Sequence, residues 1–380
     1  MNYKKKIKDF LTVTLTTLTI FLLVDFFIGN KILNIFNIDK DNSYRISNDI
    51  FNHGFKKNYK TDNAFWGQHR YTFCSNEYGT RSDCKKNKIK KFDYAFIGDS
   101  QTEGVGLNFE ETYVCNFAKQ NKLDVINFGI VRSSPSLYLK RLKFFLEQEI
   151  RFKELFIFID ISDVYDEITY NNNIFKYDKM NVCKSINQIK ETNISKTHIN
   201  VKKIKNKTFK IKRTIKENFK ISYTLSELVW WKMNFKKFFS DYSYDYLDKN
   251  YYRSAWTYNN NIGALGGSEC LDYLIETTKN IVDDIYNLLN FYNIKTSVIV
   301  APWPGNVMHD IENSKYVMIW KDFCRGRCNN FINLFPYFFD YSKKNGKTKT
   351  INDHFFKYDV HYNQFASKII SSHITNKINK

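Results

Sequence analysis

The stretch 93–106 reads DYAFIGDSQTEGVG. Its first five residues, Asp93 to Ile97, make a short apolar run that ends at Gly98, the pattern of a buried strand closed by a turn. Ser100 comes next, where a following helix would start. Free backbone N–H groups at a helix start suit a developing oxyanion. Alone, Gly98-Asp99-Ser100 is more often a plain helix cap, so its meaning depends on what surrounds it.

Outward from this stretch the pattern is strand and helix in alternation. Residues 109–120 are a helix candidate, and 124–127 (DVIN) a strand that stops before Gly129. Residues 134–149 read as an amphipathic helix with Leu137, Leu139, Leu142, Phe145 and Leu146 on one side. Residues 155–161 (LFIFIDI) are apolar on both faces, as a central parallel strand is. Ser268 is a plausible cap for a helix whose Leu271, Leu274, Ile275, Ile281, Ile285, Leu288 and Leu289 keep helical spacing. A fourth strand at 297–301 (SVIVA) runs into Pro302-Trp303-Pro304-Gly305. A helix over 314–328 and a fifth strand near 330–334 complete the set. Such repetition predicts an α/β domain with a parallel sheet and helices on both faces. Sites in these sheets lie beyond the carboxyl ends of the strands, where Gly98, Gly129, Asp163 and Pro302 fall.

The alternation is interrupted at about 170–262. That insertion holds the Lys-rich KKIKNKTFKIKRTIKENFK and an aromatic stretch at Trp230 and Trp231. The Lys-rich part reads as a solvated face, with anionic lipid or glycan as the minority reading. GALGG at 263–267 lacks the Lys-Ser/Thr of a phosphate loop and reads as a hinge. Residues 31–90 form a polar and aromatic extension in which Gly67 and Gly79 suggest turns between short strands.

At the N-terminus, Lys4, Lys5, Lys6 and Lys8 precede an apolar run from Phe10 to about Gly29. About 20 residues suffice to cross hydrocarbon. The Lys cluster predicts a cytoplasmic N-terminus, and no small-x-small cleavage site follows the run. Residues 1–30 are therefore expected to be a single-pass signal anchor, with the domain from 91 to 380 outside the cytoplasm. The formal net charge of +19 comes with a general excess of Lys along the chain. No nucleic-acid module accompanies it, so nucleic acid is not an expected partner. Seven cysteines are too few for a disulfide scaffold and lack zinc-site spacing. Cys74 with Cys84 or Cys324 with Cys328 could form local bonds outside the cytoplasm, and the latter pair is expected to be bonded. His53, His69, His198, His309, His354 and His373 show no metal-ligand spacing.

Serine needs a base, and the C-terminal YDVHYNQFAS offers one. Asp359 and His361 are two apart and point the same way in extended chain. A carboxylate beside an imidazole holds its tautomer and stabilises the imidazolium. Asp353-His354 is the rival pair, but adjacent residues point apart.

Gly98-Asp99-Ser100 after strand one, Gly129 in NFGIVRSSP after strand two, Asp163 after strand three and the late Asp359/His361 together resemble the SGNH/GDSL hydrolase superfamily. Within it the chain looks most like bacterial membrane-anchored SGNH proteins of glycan acyl chemistry, an impression to which SNEYGTRSD and APWPGN add. The resemblance covers about 93–169 and 268–375. It implies a flavodoxin-like three-layer α/β/α fold and ester cleavage or acyl transfer with no metal or organic cofactor. It casts Ser100 as nucleophile, His361 as base and Asp359 as its orienting partner. The oxyanion hole would use the N–H groups of Ser100 and Gly129, with the Ser162 hydroxyl as an auxiliary donor or none. Asp99 and Asp163 would be supporting. Apart from the resemblance, Trp303 could line a substrate site, since aromatic faces suit sugar rings, or equally simply pack. The chain departs from the pattern in three places. Ser162 stands where an oxyanion-hole Asn is usual, the last motif is Asp-x-His rather than Asp-x-x-His, and Ala366 replaces a Gly. The expected activity is that of a serine esterase or O-acyltransferase acting on a cell-envelope glycan or lipid-linked sugar. The alternative is a non-catalytic, membrane-tethered glycan-binding or assembly protein.

Overall fold

The structure, a computed structural model, describes residues 3–35, 41–67, 69–84, 90–170, 245–259 and 268–379, with six positions between 218 and 226. The Lys-rich stretch up to 217, Trp230, Trp231, His198 and the GALGG segment lie outside the described residues. The chain divides into two compact units, Met1–Lys40 with Ile194–Asp241, and Asp41–Asn193 with Tyr242–Lys380.

The first unit holds helix α1, Tyr3–Ile35. Its Lys6–Gly29 portion spans 24 residues and holds an 18-residue window of mean hydropathy 2.1, long and apolar enough to cross a membrane or to act as a signal sequence. The threonines that interrupt the apolar run bond their hydroxyls to the helix's own backbone. Those of Thr12, Thr14, Thr16, Thr17 and Thr19 donate to carbonyls four residues back, at 2.8–2.9 Å. Asp25, also in the run, is buried, and its carboxylate accepts the N–H groups of Ile221 and Ser222 at 2.8 and 2.7 Å.

The second unit opens with two antiparallel hairpins. Strands β1 (Arg45–Asn48) and β2 (Asn52–Phe55) form one, β3 (Lys60–Trp66) and β4 (His69–Cys74) the other. Gly67 turns the second at φ 55°, the left-handed region that glycine enters without penalty. Tyr44, Phe51, Phe55, Tyr71 and Phe73 share a small core between the hairpins. Cys74 and Cys84 are bonded, with Cα atoms 5.2 Å apart.

Strand β5 (Lys91–Ile97) then leads into a four-residue helix, α2 (Ser100–Glu103). Helix α3 (Tyr113–Asn121), strand β6 (Val125–Asn127), helix α4 (Pro135–Glu147), strand β7 (Arg151–Phe158) and helix α5 (Asp163–Tyr170) follow. After the insertion come helix α6 (Ser268–Phe291), strand β8 (Lys295–Val300), helix α7 (Lys315–Cys324), strand β9 (Asn330–Asn333), helix α8 (Phe335–Asn345) and helix α9 (Gln364–Ile378). All neighbouring pairs in the five-stranded sheet are parallel, in the order β6-β5-β7-β8-β9. This is the doubly wound, flavodoxin-like order, and its switch point lies at the end of β5, beside Ser100.

Side chains alternate across the sheet with period two. Ala95, Ile97, Leu155, Ile157, Val298 and Val300 pack with residues of α4, α5, α6 and α7. Phe96, Phe156, Phe158 and Ile299 face the opposite layer, formed by residues of α3, α8 and α9. A three-layer α/β/α sandwich results, as the alternation of elements implied.

Element ends differ from the sequence reading where capping overrides periodicity. The helix expected from 109 starts at Tyr113, because Phe109–Glu111 make a 3-10 turn and the Thr112 hydroxyl then caps α3. The helix expected to reach 328 stops at Cys324. Gly326 takes φ 72° there, and Cys324 and Cys328 are bonded with Cα atoms 4.7 Å apart. Cys115 is a buried free thiol.

Candidate active site

Ser100 is the first residue of α2, so its backbone N–H has no carbonyl within the helix to bond. Asp99 caps the helix, its carboxylate accepting the Gln101 N–H at 3.0 Å. A short loop returns near the C-terminus, closed by a bridge between Phe355 and Tyr362. It brings His361 Nε2 to 2.7 Å from Ser100 Oγ. His361 Nδ1 lies 2.6 Å from Asp359 Oδ1, which also accepts the Val360 N–H at 2.6 Å. Ser100 is only 6% exposed and His361 7%. The structure thus brings together the three residues that the sequence singled out as nucleophile, base and orienting acid.

Gln101 fastens the loop to α2. Its side chain donates to the Val360 carbonyl at 3.0 Å and accepts the Tyr362 N–H at 3.2 Å, bracketing His361 on both sides. No local sequence signal marks this role, since both partners are about 260 positions away.

Charge around the imidazole is lopsided. Burial works against a proton on His361, yet Asp359, and behind it Asp99 and Asp160, hold its pKa above the ordinary imidazole value. Burial likewise works to raise Asp359, but the His361 charge, its hydrogen bond and the Trp66 N–H bring the carboxylate below its usual range. Asp99 is pushed up to about 7, first by burial and then by the nearby Asp160. Asp99 Oδ2 lies 3.0 Å from Ser100 Oγ and competes with His361 for the single hydroxyl proton.

Two expected oxyanion donors are committed elsewhere. The Gly129 N–H donates to Asn127 Oδ1 at 2.8 Å, and Asn127 in turn donates to the Thr102 carbonyl at 2.8 Å. What Gly129 supplies is closeness: a Cβ there would meet Glu103 N at 2.4 Å and Thr102 C at 2.5 Å. Both are backbone atoms of α2, so Gly129→Ala is expected to push the Ser100 helix outward. The loss should be at the upper end of the ~1–3 kcal/mol of overpacking, read as a lower unfolding midpoint. The Ser162 hydroxyl sits 2.7 Å from Asp160 Oδ1 and 3.2 Å from Asp166 Oδ2, so its proton serves the turn after β7. Of the three expected donors, the Ser100 N–H is the one left for an oxyanion.

The remaining candidates have structural partners. Asp163 is fully buried, accepts the Tyr138 O–H at 2.9 Å and the Asp160 N–H at 2.9 Å, and is held well above its usual pKa by burial and by Asp99. Trp303 is 4% exposed and donates its indole N–H to Asp160 Oδ2 at 3.0 Å. It therefore packs and holds a carboxylate rather than lining an open substrate site. His354 bonds the Thr350 carbonyl and Tyr337, while Asp353 pairs with Tyr341 and Lys349, so that pair is not assembled. Ala366 is buried in α9. Among the described residues no cluster of His, Cys, Asp and Glu could hold a metal ion.

No family model and no curated protein matches the sequence. Among solved structures, one similar chain is described as a lipolytic protein of the G-D-S-L family from Desulfitobacterium hafniense DCB-2, at 10% identity and TM-score 0.37, covering 76% of this chain and 99% of that one. Another is a psychrotrophic esterase from Pseudoalteromonas sp. inhibited by monoethylphosphonate, at 11% identity and TM-score 0.36, covering 77% and 97%. Likeness at this level carries no argument, and the functional reading rests on the chain's own geometry.

Proposed function

We propose that the protein is a membrane-anchored serine hydrolase of the SGNH/GDSL type, an esterase or O-acyltransferase working through an acyl-enzyme on Ser100. The observation that carries the reading is the chain of short contacts from Ser100 Oγ to His361 (2.7 Å) and from His361 to Asp359 (2.6 Å), set at a helix start beyond the strand ends. In the forward step Ser100 Oγ bonds to the acyl carbon as its proton passes to His361 Nε2. The C–O bond to the leaving alkoxide then breaks, and His361 returns the proton to it. Water, or a sugar hydroxyl, attacks the acyl-enzyme in the second half with the same base. Either Ser100 is regenerated with a free acid, or the acyl group moves to the sugar.

The apolar α1 supports a substrate near a membrane, an acylated glycan or lipid-linked sugar of the cell envelope. The Lys4–Lys8 cluster supports a cytoplasmic N-terminus, and the bonds Cys74–Cys84 and Cys324–Cys328 support an oxidising compartment for the domain. The commitment of the Gly129 N–H and the Ser162 hydroxyl to internal acceptors favours a second reading, a glycan-binding module that keeps the fold without turnover.

Covalent labelling by a fluorophosphonate separates the two. Ser100 is expected to be the modified residue, and binding to an envelope polymer without labelling would favour the module. Labelling requires neutral His361, whose pKa is held above the ordinary value, so its rate should rise with pH through a midpoint above about 6.5. Asp99→Asn removes one of the negative charges that hold the proton, so the midpoint should move to lower pH.

A further inference from the structure

The outer oxygen of Asp359 has a partner from a distant part of the chain. Trp66, the last residue of β3, places its indole N–H 2.7 Å from Asp359 Oδ2. The same nitrogen is 3.1 Å from His361 Nδ1, but that atom carries the proton it gives to Asp359 and cannot accept another. Asp359 Oδ2 is therefore the acceptor. The indole also stands edge-on to the imidazole, with ring centroids 4.8 Å apart.

The hairpin grips the catalytic loop at a second point. His69, the first residue of β4, stacks on Phe356 with centroids 4.0 Å apart, and the Phe356 N–H donates to the His361 carbonyl at 2.9 Å. The two contacts, at Trp66 and His69, lie at the same end of the hairpin, so that end touches both arms of the loop that carries Asp359 and His361.

We propose that Trp66 is a positioning residue of the Ser100 site. Its N–H fixes the Asp359 carboxylate so that Oδ1 stays on His361 Nδ1, and the N-terminal hairpin, not the α/β sheet alone, completes the triad. This rests on the serine-hydrolase reading above. A tryptophan does here what a small polar donor would do, while its ring covers the imidazole edge. Without the N–H, Oδ2 is left partly desolvated with no donor, and the carboxylate gains a reason to rotate toward water.

The test is Trp66→Phe in the full chain in detergent micelles, which keeps a ring and removes the donor. A hydrogen bond to a charged group is worth about ten- to a hundredfold, and that loss is expected in kcat on an activated acyl ester, with KM within about twofold. The low-field proton resonance of His361 Nδ1 should weaken or vanish in the same variant. An unchanged resonance, a loss confined to KM, or wild-type kcat would each overturn the proposal. A cooperative unfolding transition close to the wild type, together with Trp66→His, which restores a ring N–H and should recover part of kcat, separates positioning from misfolding. If the wild-type chain itself takes no fluorophosphonate on Ser100, it is the hydrolase reading that fails, and the variant then says nothing against Trp66.

Discussion

Ser100→Ala and His361→Ala should each remove turnover of an activated acyl ester almost completely, on the order of 10⁴–10⁶-fold, and the double variant should be little worse than either alone. The non-additivity follows from the geometry. His361 Nε2 has the Ser100 hydroxyl at 2.7 Å as its hydrogen-bonding partner, so a base without its nucleophile, or the reverse, does nothing. The measurement is the initial rate of the full chain, with near-UV circular dichroism confirming the fold. Undiminished turnover in Ser100→Ala would end the serine-nucleophile reading.

Asp359→Asn should cost less. Oδ1 receives both the Val360 N–H and the His361 Nδ1 proton, so the amide oxygen of Asn will settle there and keep the imidazole in its working tautomer. The amide NH₂ then faces the Trp66 N–H, donor against donor. The residual loss therefore reports the missing charge and the Trp66 contact together, which is why Trp66→Phe is needed to divide them.

The sheet was legible in sequence because a parallel strand buried on both faces writes a continuous apolar run, as in 93–97, 155–161 and 297–301. The meeting of Ser100, His361 and Asp359 was legible because each sits in a short, chemically marked motif. Roles that depend on long-range pairing left no such mark. Trp66 lies 293 positions from Asp359, and Gln101 lies 259 from Val360, so nothing in the local pattern of either predicts its partner. Ser162 and Gly129 show the converse. Their positions matched an expected pattern, but the atoms had nearer acceptors in Asp160 and Asn127, and a hydrogen bond goes to the partner within reach. A hint was available in IDISD, where Asp160 two residues before Ser162 is the spacing of a side-chain-closed turn. Trp303 was left open in sequence, because an aromatic in a Pro-rich loop suits a sugar platform and a packed corner equally, and only burial distinguishes them.

Arg81→Met should destabilise the domain more than any substitution considered above. Arg81 is 1% exposed, and it lies in the turn closed by the Cys74–Cys84 bond. Its guanidinium donates to the carbonyls of Glu103, Gly104 and Leu107, at and just beyond the end of α2. Its charge is offset by the faces of Tyr71 and Phe73, 5.3 and 5.6 Å from their centroids, and by Glu103 nearby. Glu103 is itself paired with Arg45 of β1 and accepts the Val131 N–H at 2.7 Å. Methionine fills much of the space but donates nothing, so the Glu103 and Leu107 carbonyls lose this donor, the Gly104 carbonyl keeps only the Leu107 N–H, and Glu103 loses a compensating charge. About 3–5 kcal/mol is the expected loss for breaking such a buried set, enough to bring a domain of ordinary stability close to its threshold. Denaturant unfolding of the full chain in detergent, followed by near-UV circular dichroism, reads it as a lower midpoint, while Lys153→Met near the exposed start of β7 should leave the midpoint almost unchanged. Because the carbonyls freed by Arg81→Met close the helix that Ser100 opens, the folded fraction should also label more slowly with fluorophosphonate. A lowered midpoint with a wild-type labelling rate would show that the end of α2 can loosen without moving its start.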